Sequence, residues 1–330
     1  MTESYTQPEA ELQLVPQPTF TAEVAAPTEV VTETTEPTVS YQTGLQPQTV
    51  LPLEAVSQTT TGYTGQTFVA PVAALNQTDL IVHSQRNCLY IDPTSMSRLQ
   101  NEVAVSRLLQ PGLYSIKLKS GTFDYQIQSG HAGEPLVLLW VYGGKVVNQK
   151  TGVEVGATWS SLNGYGDMLL LHVIEPATLC GFFFDTYLDD NEGAVVVSVE
   201  GPGYRDEISV DSKHNCYFIE PETMRRLEQE TSVSRTLSSG TYVIRIKSGA
   251  FGYRSQTGHQ GEPIVLLWIY GGKVVNRKTG IEVAATWISL NGYSDMLTLE
   301  VREPATICAF FFDTYLEDNA GEVMLSLTRV

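Results

Sequence analysis

Residues 83–200 and 211–328 carry the same sequence twice, at a constant offset of 128 residues and without a gap. The copies are nearly identical at EPLVLLWVYGGKVVN (134–148) and EPIVLLWIYGGKVVN (262–276). Because this period is far longer than the roughly 20–50 residues of a solenoid repeat, each copy is expected to fold as an independent domain with its own core. A residue kept in both copies is then one that both domains use, for folding or for function.

The N-terminal segment 1–75 differs from the copies in composition. No Lys or Arg precedes Arg86, whereas nine acidic residues do, and eight of the sixteen prolines lie in this Thr- and Gln-rich segment. Such a chain buries too little apolar surface to offset the entropy lost on ordering, so 1–75 is predicted to be a disordered tail. The tail is interpreted as a solubilising extension. The alternative is that its apolar stretches, 43–56 and 63–75, order on a protein partner.

Charge and hydropathy exclude several classes of partner. The net charge of −17 and the lack of clustered Lys and Arg argue against binding to nucleic acid or to an anionic membrane surface. No apolar run is long enough to cross a bilayer, and the N-terminus does not have the pattern of a secretion signal. A cytoplasmic protein without membrane insertion is therefore expected.

Each copy contains two cysteines at matched positions, Cys88 and Cys180 in the first and Cys216 and Cys308 in the second. In a cytoplasmic protein they are expected to be four buried, inert thiols. The alternative is one disulfide within each copy, joining residues 88 and 180 and residues 216 and 308.

Strand patterns dominate each copy. GLYSIKLKSG at 112–121 alternates apolar and polar residues, and the continuous apolar run at 135–142 is typical of a strand buried on both faces. One short helix per copy is predicted where Pro93 and Pro221 follow an acidic residue. We therefore predict an all-β fold of two tandem antiparallel β-sandwich domains of the jelly-roll type, each with one short helix. The expected limits are 1–75 for the tail, 76–200 and 208–330 for the domains, and 201–207 for a linker.

Aromatic residues near turns are candidates for contact with a ligand. Each copy has a tryptophan near a loop, and an Asn-Gly turn followed by Tyr-x-Asp. An exposed aromatic ring beside a carboxylate can hold a sugar or a peptide. The alternative is structural, with the tryptophans in the core and Asn-Gly serving a hairpin. The predicted ligand-binding residues are Tyr165, Asp167, Tyr293, Asp295, Trp159 and Trp287.

Each copy ends with an acidic loop between two predicted strands, FDTYLDDNEG at 184–193 and FDTYLEDNAG at 312–321. Calcium takes about six to eight oxygen ligands, which carboxylates, an Asn carbonyl and backbone carbonyls of a short loop can supply together. The alternative is a solvated acidic hairpin, in which Asp-Asn and the following Gly favour the turn. The predicted Ca²⁺ ligands are Asp185, Asp189, Asp190, Asn191, Asp313, Glu317, Asp318 and Asn319.

The acidic loops resemble a known calcium site. An Asp, a short spacer and Asp-Asn-x-Gly before an alternating last strand (AVVVSVE or EVMLSLT) are similar to the calcium loop of bacterial galactophilic lectins and related jelly-roll carbohydrate-binding modules. The resemblance covers about the last 20 residues of each copy. In that family the ion bridges the protein and sugar hydroxyls. The ligands that the resemblance implies are Asp185, Asp190 and Asn191, and Asp313, Asp318 and Asn319.

A catalytic site is not expected. His131 lies three residues before Glu134, and His259 three residues before Glu262, a spacing that could support acid–base chemistry. No repeated Ser or Cys nucleophile with a recognisable partner accompanies them. The flanking glycines favour a turn instead.

These observations lead to a non-catalytic binding protein for a carbohydrate or protein ligand, with Ca²⁺ as mediator. One site in each copy would make the chain bivalent, which raises the effective concentration of the second site. The alternative is a structural scaffold that forms homo-oligomers through its β domains and recruits a partner through its tail.

Overall fold

The computed structural model describes residues 76–125, 132–253 and 260–330. The described residues form twenty strands and two short helices, so the predicted all-β class with one short helix per copy is confirmed. None of the helices among them is long and apolar enough to span a membrane. The tail predicted at 1–75 lies outside the described residues.

The elements follow the repeat. The first copy contains β1 (Asn76–His83), β2 (Cys88–Tyr90), α1 (Pro93–Arg98), β3 (Val105–Leu109), β4 (Gly112–Gly121), β5 (Leu136–Asn148), β6 (Val153–Asn163), β7 (Met168–Glu175), β8 (Ala177–Asp185) and β9 (Ala194–Gly201). The second copy contains β10 (Tyr204–Asp211), β11 (Cys216–Phe218), α2 (Pro221–Arg226), β12 (Val233–Leu237), β13 (Gly240–Gly249), β14 (Ile264–Tyr270), β15 (Lys273–Asn276), β16 (Glu282–Val283), β17 (Thr286–Asn291), β18 (Met296–Glu303), β19 (Ala305–Asp313) and β20 (Glu322–Arg329).

Local sequence explains why these segments adopt their structures. In β4, Tyr114, Ile116 and Leu118 are buried and Lys117 and Lys119 are exposed, as the alternation predicts. In α1, Pro at the first turn needs no hydrogen-bond partner for its nitrogen, and the Asp92 carboxylate accepts hydrogen bonds from the next free backbone N–H groups. Each helix continues into one π-helical turn, Leu99–Val103 and Leu227–Thr231.

A pair of glycines bends the longest strand between two sheet layers. β5 pairs with β6 along both halves, but its first half also pairs with β8 and its second half with β7. At the bend, Gly143 has a φ of 84° and a Cβ on Gly144 would lie 2.2 Å from the Pro176 carbonyl oxygen, so neither position accepts a larger residue without strain. Buried residues of both layers, such as Leu171 and Phe182, belong to one core.

The N-terminal strands of each copy pair with the other copy. All eight residues of β1 pair with β20, and β2 runs parallel to β19. The equivalent strands of the second copy behave in the same way, because β10 pairs with β9 and β11 runs parallel to β8. The strands within residues 105–218 therefore form one set of sheets. The strands within residues 233–329 form a second set, together with β1 and β2 of residues 76–90.

The expectation of two tandem domains, each built from its own copy, is not confirmed. The tight turn at Pro202-Gly203, where Gly203 has a φ of 65°, returns the chain onto β9, so residues 204–207 are strand residues rather than linker. The described residues belong to one compact unit. One core cluster contains residues of both copies, among them Phe182 and Phe310.

Reciprocal polar contacts join the copies where β6 meets β17. The Ser161 amide donates to Ser289 Oγ at 2.7 Å, and the Ser289 amide donates to Ser161 Oγ at 2.8 Å. The side-chain amide of Asn163 donates to the Trp287 carbonyl oxygen at 3.3 Å, and Asn291 donates to the Trp159 carbonyl oxygen at 2.8 Å. Each contact occurs twice, with the roles of the two copies exchanged. Such reciprocal contacts indicate that an approximate two-fold axis relates the copies.

Candidate ligand-binding site

The acidic loops begin where β8 and β19 leave the core. Asp185 and Asp313 end these strands, and each accepts a hydrogen bond at 2.7 Å from the next backbone N–H. In the first loop Gly193 has a φ of 95°, and a Cβ there would lie 2.3 Å from the Thr122 carbonyl oxygen. The glycine of the Asp-Asn-x-Gly sequence is therefore required by the tightly packed backbone.

Buried oxygen atoms without hydrogen-bond partners are concentrated in these loops. In the first loop they are Asp185 Oδ2, Asp190 Oδ1 and Asn191 Oδ1. Asn191 is 1% exposed, and its amide nitrogen donates to the Ser212 carbonyl oxygen at 3.1 Å, which leaves the side-chain oxygen as the orphaned atom. Buried acceptors normally have a partner, so these oxygens are suited to an additional donor or a cation.

The second loop repeats this arrangement with a segment from the other copy. Asp313 Oδ2 and Asn319 Oδ1 are buried without hydrogen-bond partners. The Asn319 amide nitrogen donates to the Ser84 carbonyl oxygen at 3.4 Å. Each loop is thus held by the N-terminal segment of the opposite copy.

Burial perturbs the first carboxyl group of each loop. Desolvation raises the pKa of Asp185 to about 6, and the charge of Asp190 adds to the effect. The pKa of Asp313 is raised to about 6 for the same reasons, with Asp318 as the neighbouring charge. An ionised carboxylate at these positions is therefore costly unless a cation or donor is bound.

The structure brings together only part of the predicted calcium set. Asp189 and Glu317 are exposed, and the Glu317 carboxylate accepts a hydrogen bond from the Tyr315 hydroxyl at 2.9 Å. Within the described ranges, no group of three or more His, Cys, Asp and Glu side chains is placed to hold a metal ion. Two carboxylates and one amide per loop could supply only part of a calcium shell, which takes about six to eight oxygens.

A cavity of about 460 Å³ opens beside the second acidic loop. It lies between the copies, and aromatic side chains from both surround it, with carboxylates on one wall. The lining residues are Ile91, Met96, Gln100, Trp140, Tyr142, Gly143, Gly156, Ala157, Trp159, Phe251, Tyr253, Phe312, Asp313, Thr314, Tyr315 and Asp318.

Stacked rings fix the aromatic wall. Trp140 stacks on Tyr142 with ring centroids 4.3 Å apart, and its centroid lies 5.3 Å from that of Trp159. Trp159 is partly exposed and packs on Phe312 at 5.5 Å. The Tyr253 hydroxyl donates to the Ala157 carbonyl oxygen at 2.7 Å, so this ring is also held in place. The cavity therefore offers a flat apolar surface beside hydrogen-bond acceptors.

The predicted position Trp287 lies in the equivalent place on the other side of the approximate two-fold axis. It is 6% exposed, and the space around it is only about 10 Å³. Trp159 thus contacts open space, whereas Trp287 is enclosed.

The Asn-Gly turns lie away from this cavity. Tyr165 and Tyr293 are about half exposed, and each hydroxyl donates to a backbone carbonyl at 3.0 Å. Asp167 and Asp295 are only 8% exposed and form an alternating charge cluster with Lys150 and Lys278. The closest contacts, from Lys150 Nζ to Asp167 Oδ1 and from Lys278 Nζ to Asp295 Oδ1, are 3.1 Å. None of these four predicted ligand-binding residues lines the cavity.

The glutamates of the Gly-x-x-Gly-Glu-Pro segments are buried between the copies. Glu134 accepts hydrogen bonds from Thr279 Oγ1 at 2.9 Å and Thr286 Oγ1 at 2.7 Å. Glu262 accepts the equivalent bond from Thr151 Oγ1 at 2.9 Å. His131 and His259, which the sequence places near these carboxylates, lie outside the described residues.

All four cysteines are free and buried, which confirms the prediction of buried thiols. Burial raises the pKa of the Cys180 thiol to about 12. The pKa values of Cys88, Cys216 and Cys308 are raised as well, chiefly by desolvation, so the reactive thiolate is disfavoured at every site.

Most of the cavity wall is not among the residues predicted from the sequence. Tyr142 and Tyr253 belong to this part of the wall, although both are kept in the two copies, as Tyr270 and Tyr125. Their retention next to small residues was the available signal. No protein-family model matches the chain, and no curated protein matches it.

Proposed function

We propose that this protein is a non-catalytic binding protein that holds a carbohydrate in the cavity between its two copies. The observation that carries the proposal is the partly exposed Trp159 ring in the same cavity as the Asp313 and Asp318 carboxylates. A sugar ring has an apolar face of C–H groups and an edge of hydroxyls. Aromatic rings pack on the first, and carboxylate oxygens accept hydrogen bonds from the second.

The size and rigidity of the cavity support a small ligand. Its volume of about 460 Å³ lies in the range of roughly 300–1,000 Å³ that small-molecule sites occupy. Tyr253 is held by the Ala157 backbone and Trp140 by stacking on Tyr142, so little ordering is required on binding.

Calcium is the proposed mediator in this cavity. Asp313, Asp318 and Asn319 would hold the ion, which would neutralise the carboxylates and accept ligand hydroxyls as further oxygen ligands. The orphaned oxygens Asp313 Oδ2 and Asn319 Oδ1 support this assignment. They do so because a buried acceptor gains a partner when the ion binds.

Calorimetric titration of the full chain with D-galactose and a panel of neutral oligosaccharides, in calcium and in EDTA, tests the proposal. Binding is expected in calcium, and Trp159→Leu should weaken it at least tenfold, about 1.4 kcal/mol. Tyr165→Phe is the matched aromatic control, because Tyr165 lies outside the cavity. Absence of binding to every carbohydrate would contradict the proposal, and hydrolysis of an oligosaccharide would contradict its non-catalytic part.

A further inference from the structure

The approximate two-fold axis relates two equivalent positions between the copies, but an open cavity is present at only one of them. The open cavity measures about 460 Å³, and the space at the equivalent position measures about 10 Å³. Seven counterparts of the residues around the open cavity line the enclosed position, including Tyr125, Asp185 and Trp287. A duplicated sequence with equal sites would be expected to give equal cavities.

The residues that line the two positions are almost the same. At an offset of 128 residues, every lining residue of the open cavity has an identical counterpart except two. Gln100 corresponds to Glu228, and Gly156 corresponds to Ala284. Among the lining residues, these two positions are therefore the sequence differences that can contribute to the difference in volume.

Glu228 holds the tryptophan that closes the second position. Trp268 Nε1 donates to Glu228 Oε1 at 3.1 Å. A carboxylate is a stronger acceptor for an indole N–H than the neutral amide of Gln100. The acceptor in the closed position is thus a charged group, whereas the open cavity has the uncharged side chain of Gln100 at the same place.

Tryptophan positions change accordingly. The Trp268 and Trp287 centroids are 4.5 Å apart, against 5.3 Å for Trp140 and Trp159. Trp268 also lies farther from its tyrosine neighbour, at 5.9 Å from Tyr270, than the 4.3 Å between Trp140 and its own neighbour. Trp268 is therefore displaced from the tyrosine and towards Trp287.

The exposures of the four rings agree with this displacement. Trp268 is partly exposed and covers Trp287, which is 6% exposed. On the open side the order is reversed, because Trp140 is 6% exposed and Trp159 is the partly exposed ring.

Ala284 is the second difference between the two positions. Gly156 lines the open cavity without a side chain, whereas its counterpart Ala284 carries a methyl group. Strand pairing also differs here, since Tyr142 pairs with Ala157 on the open side, while the equivalent pairing ends at Ile269 and Thr286.

We propose that the protein binds one ligand molecule per chain, at Trp159, and that Glu228 closes the equivalent position by holding Trp268 over Trp287. This inference rests on the proposed function, because it assigns the carbohydrate to one of two related positions. Glu228 is a specificity-determining residue in this account, and the duplicated chain is monovalent rather than bivalent.

Calorimetric stoichiometry with the tightest-binding carbohydrate of the panel tests the inference. The wild type should bind one molecule per chain, and Glu228→Gln with Ala284→Gly should bind two. The reciprocal variant, Gln100→Glu with Gly156→Ala, is the matched control and should lose the wild-type site. Two molecules per wild-type chain, or one per chain of the opened variant, would overturn the inference while leaving the proposed function intact.

A second readout needs no ligand. The chain has four tryptophans, so four indole N–H signals are expected by nuclear magnetic resonance, and Trp268→Phe assigns one of them. Glu228→Gln should shift the Trp268 signal and speed its exchange with water. If no carbohydrate binds the wild type, the proposed function fails. An unmoved Trp268 signal in Glu228→Gln independently overturns the proposal that Glu228 holds Trp268 over Trp287.

Discussion

The buried glutamates between the copies predict a specific dependence of stability on pH. Glu134 and Glu262 are 2% and 1% exposed, and threonine hydroxyls of the opposite copy are their side-chain partners. Desolvation raises the pKa of each from its ordinary value of 4.5 to about 7. Replacing both with glutamine keeps the shape and the hydrogen-bonding capacity but removes the titration.

The sign and size of the change in unfolding free energy with pH follow from proton linkage. Below pH 4.5 both carboxyls are protonated in the folded and unfolded chain, and their stabilising contribution is complete. Between pH 4.5 and about 7 the unfolded chain releases protons that the folded chain retains, so the free energy of unfolding falls as pH rises. The loss is about 3 kcal/mol for each carboxyl once the pH exceeds 7.

Urea unfolding at pH 5 and pH 8, in EDTA, measures the effect. The wild type should lose several kcal/mol more than Glu134→Gln with Glu262→Gln over this interval. Asp185 and Asp313 contribute with the same sign, but they are present in both proteins and cancel in the comparison. Glu154→Gln, an exposed position in β6, is the control and should follow the wild type. Equal losses for the wild type and the double variant would refute the reasoning.

Three further predictions concern the loops, the interface and the N-terminal strands. Saturating Ca²⁺ should stabilise the fold, by about 2.7 kcal/mol at 100 times Kd, and Asn319→Ala should reduce this gain while the exposed Glu317→Gln of the same loop should not; an unchanged melting temperature would argue against calcium. Ser161→Ala and Ser289→Ala should each cost about 1–3 kcal/mol by leaving a buried N–H unpaired, and a double-mutant cycle by urea unfolding should show coupling, whereas strict additivity would deny the reciprocal contact. Deleting residues 1–90 should remove the partners of β19 and β20 and lower the melting temperature, and a peptide of residues 76–90 should restore it in trans; a truncated chain as stable as the full chain would contradict the pairing.

Local pattern was sufficient for the type of element but not for its partner. The alternation in β4 and the Asp-Pro start of α1 are properties of a few neighbouring residues, so the strand and the helix could be predicted. β9 and β20 carry related sequences, so β1 has two similar partners available to it. Because the turn at Pro202-Gly203 is short, β10 pairs with β9. β20 is then left as the partner of β1.

The cavity depends on contacts that sequence spacing does not show. Tyr253 in the cavity wall meets Ala157, which lies 96 residues away, and a single Tyr gives no sign of that contact. The acidic loops were recognisable because their ligand candidates lie within ten residues, although Asp189 and Glu317 face outwards. The difference between open and closed positions arises from the placement of one indole ring, which single substitutions such as Gln to Glu do not reveal in a sequence.

A carbohydrate bound in the cavity between the copies would lie against the Trp159 ring. Titration of ¹⁵N-labelled full chain with the bound carbohydrate, observed at the four indole N–H groups, locates the ligand directly. Assignment uses a conservative Trp→Phe variant at each position. The Trp159 signal is expected to shift with ligand while the Trp287 signal stays in place, and a shift at Trp287 with none at Trp159 would contradict binding against Trp159.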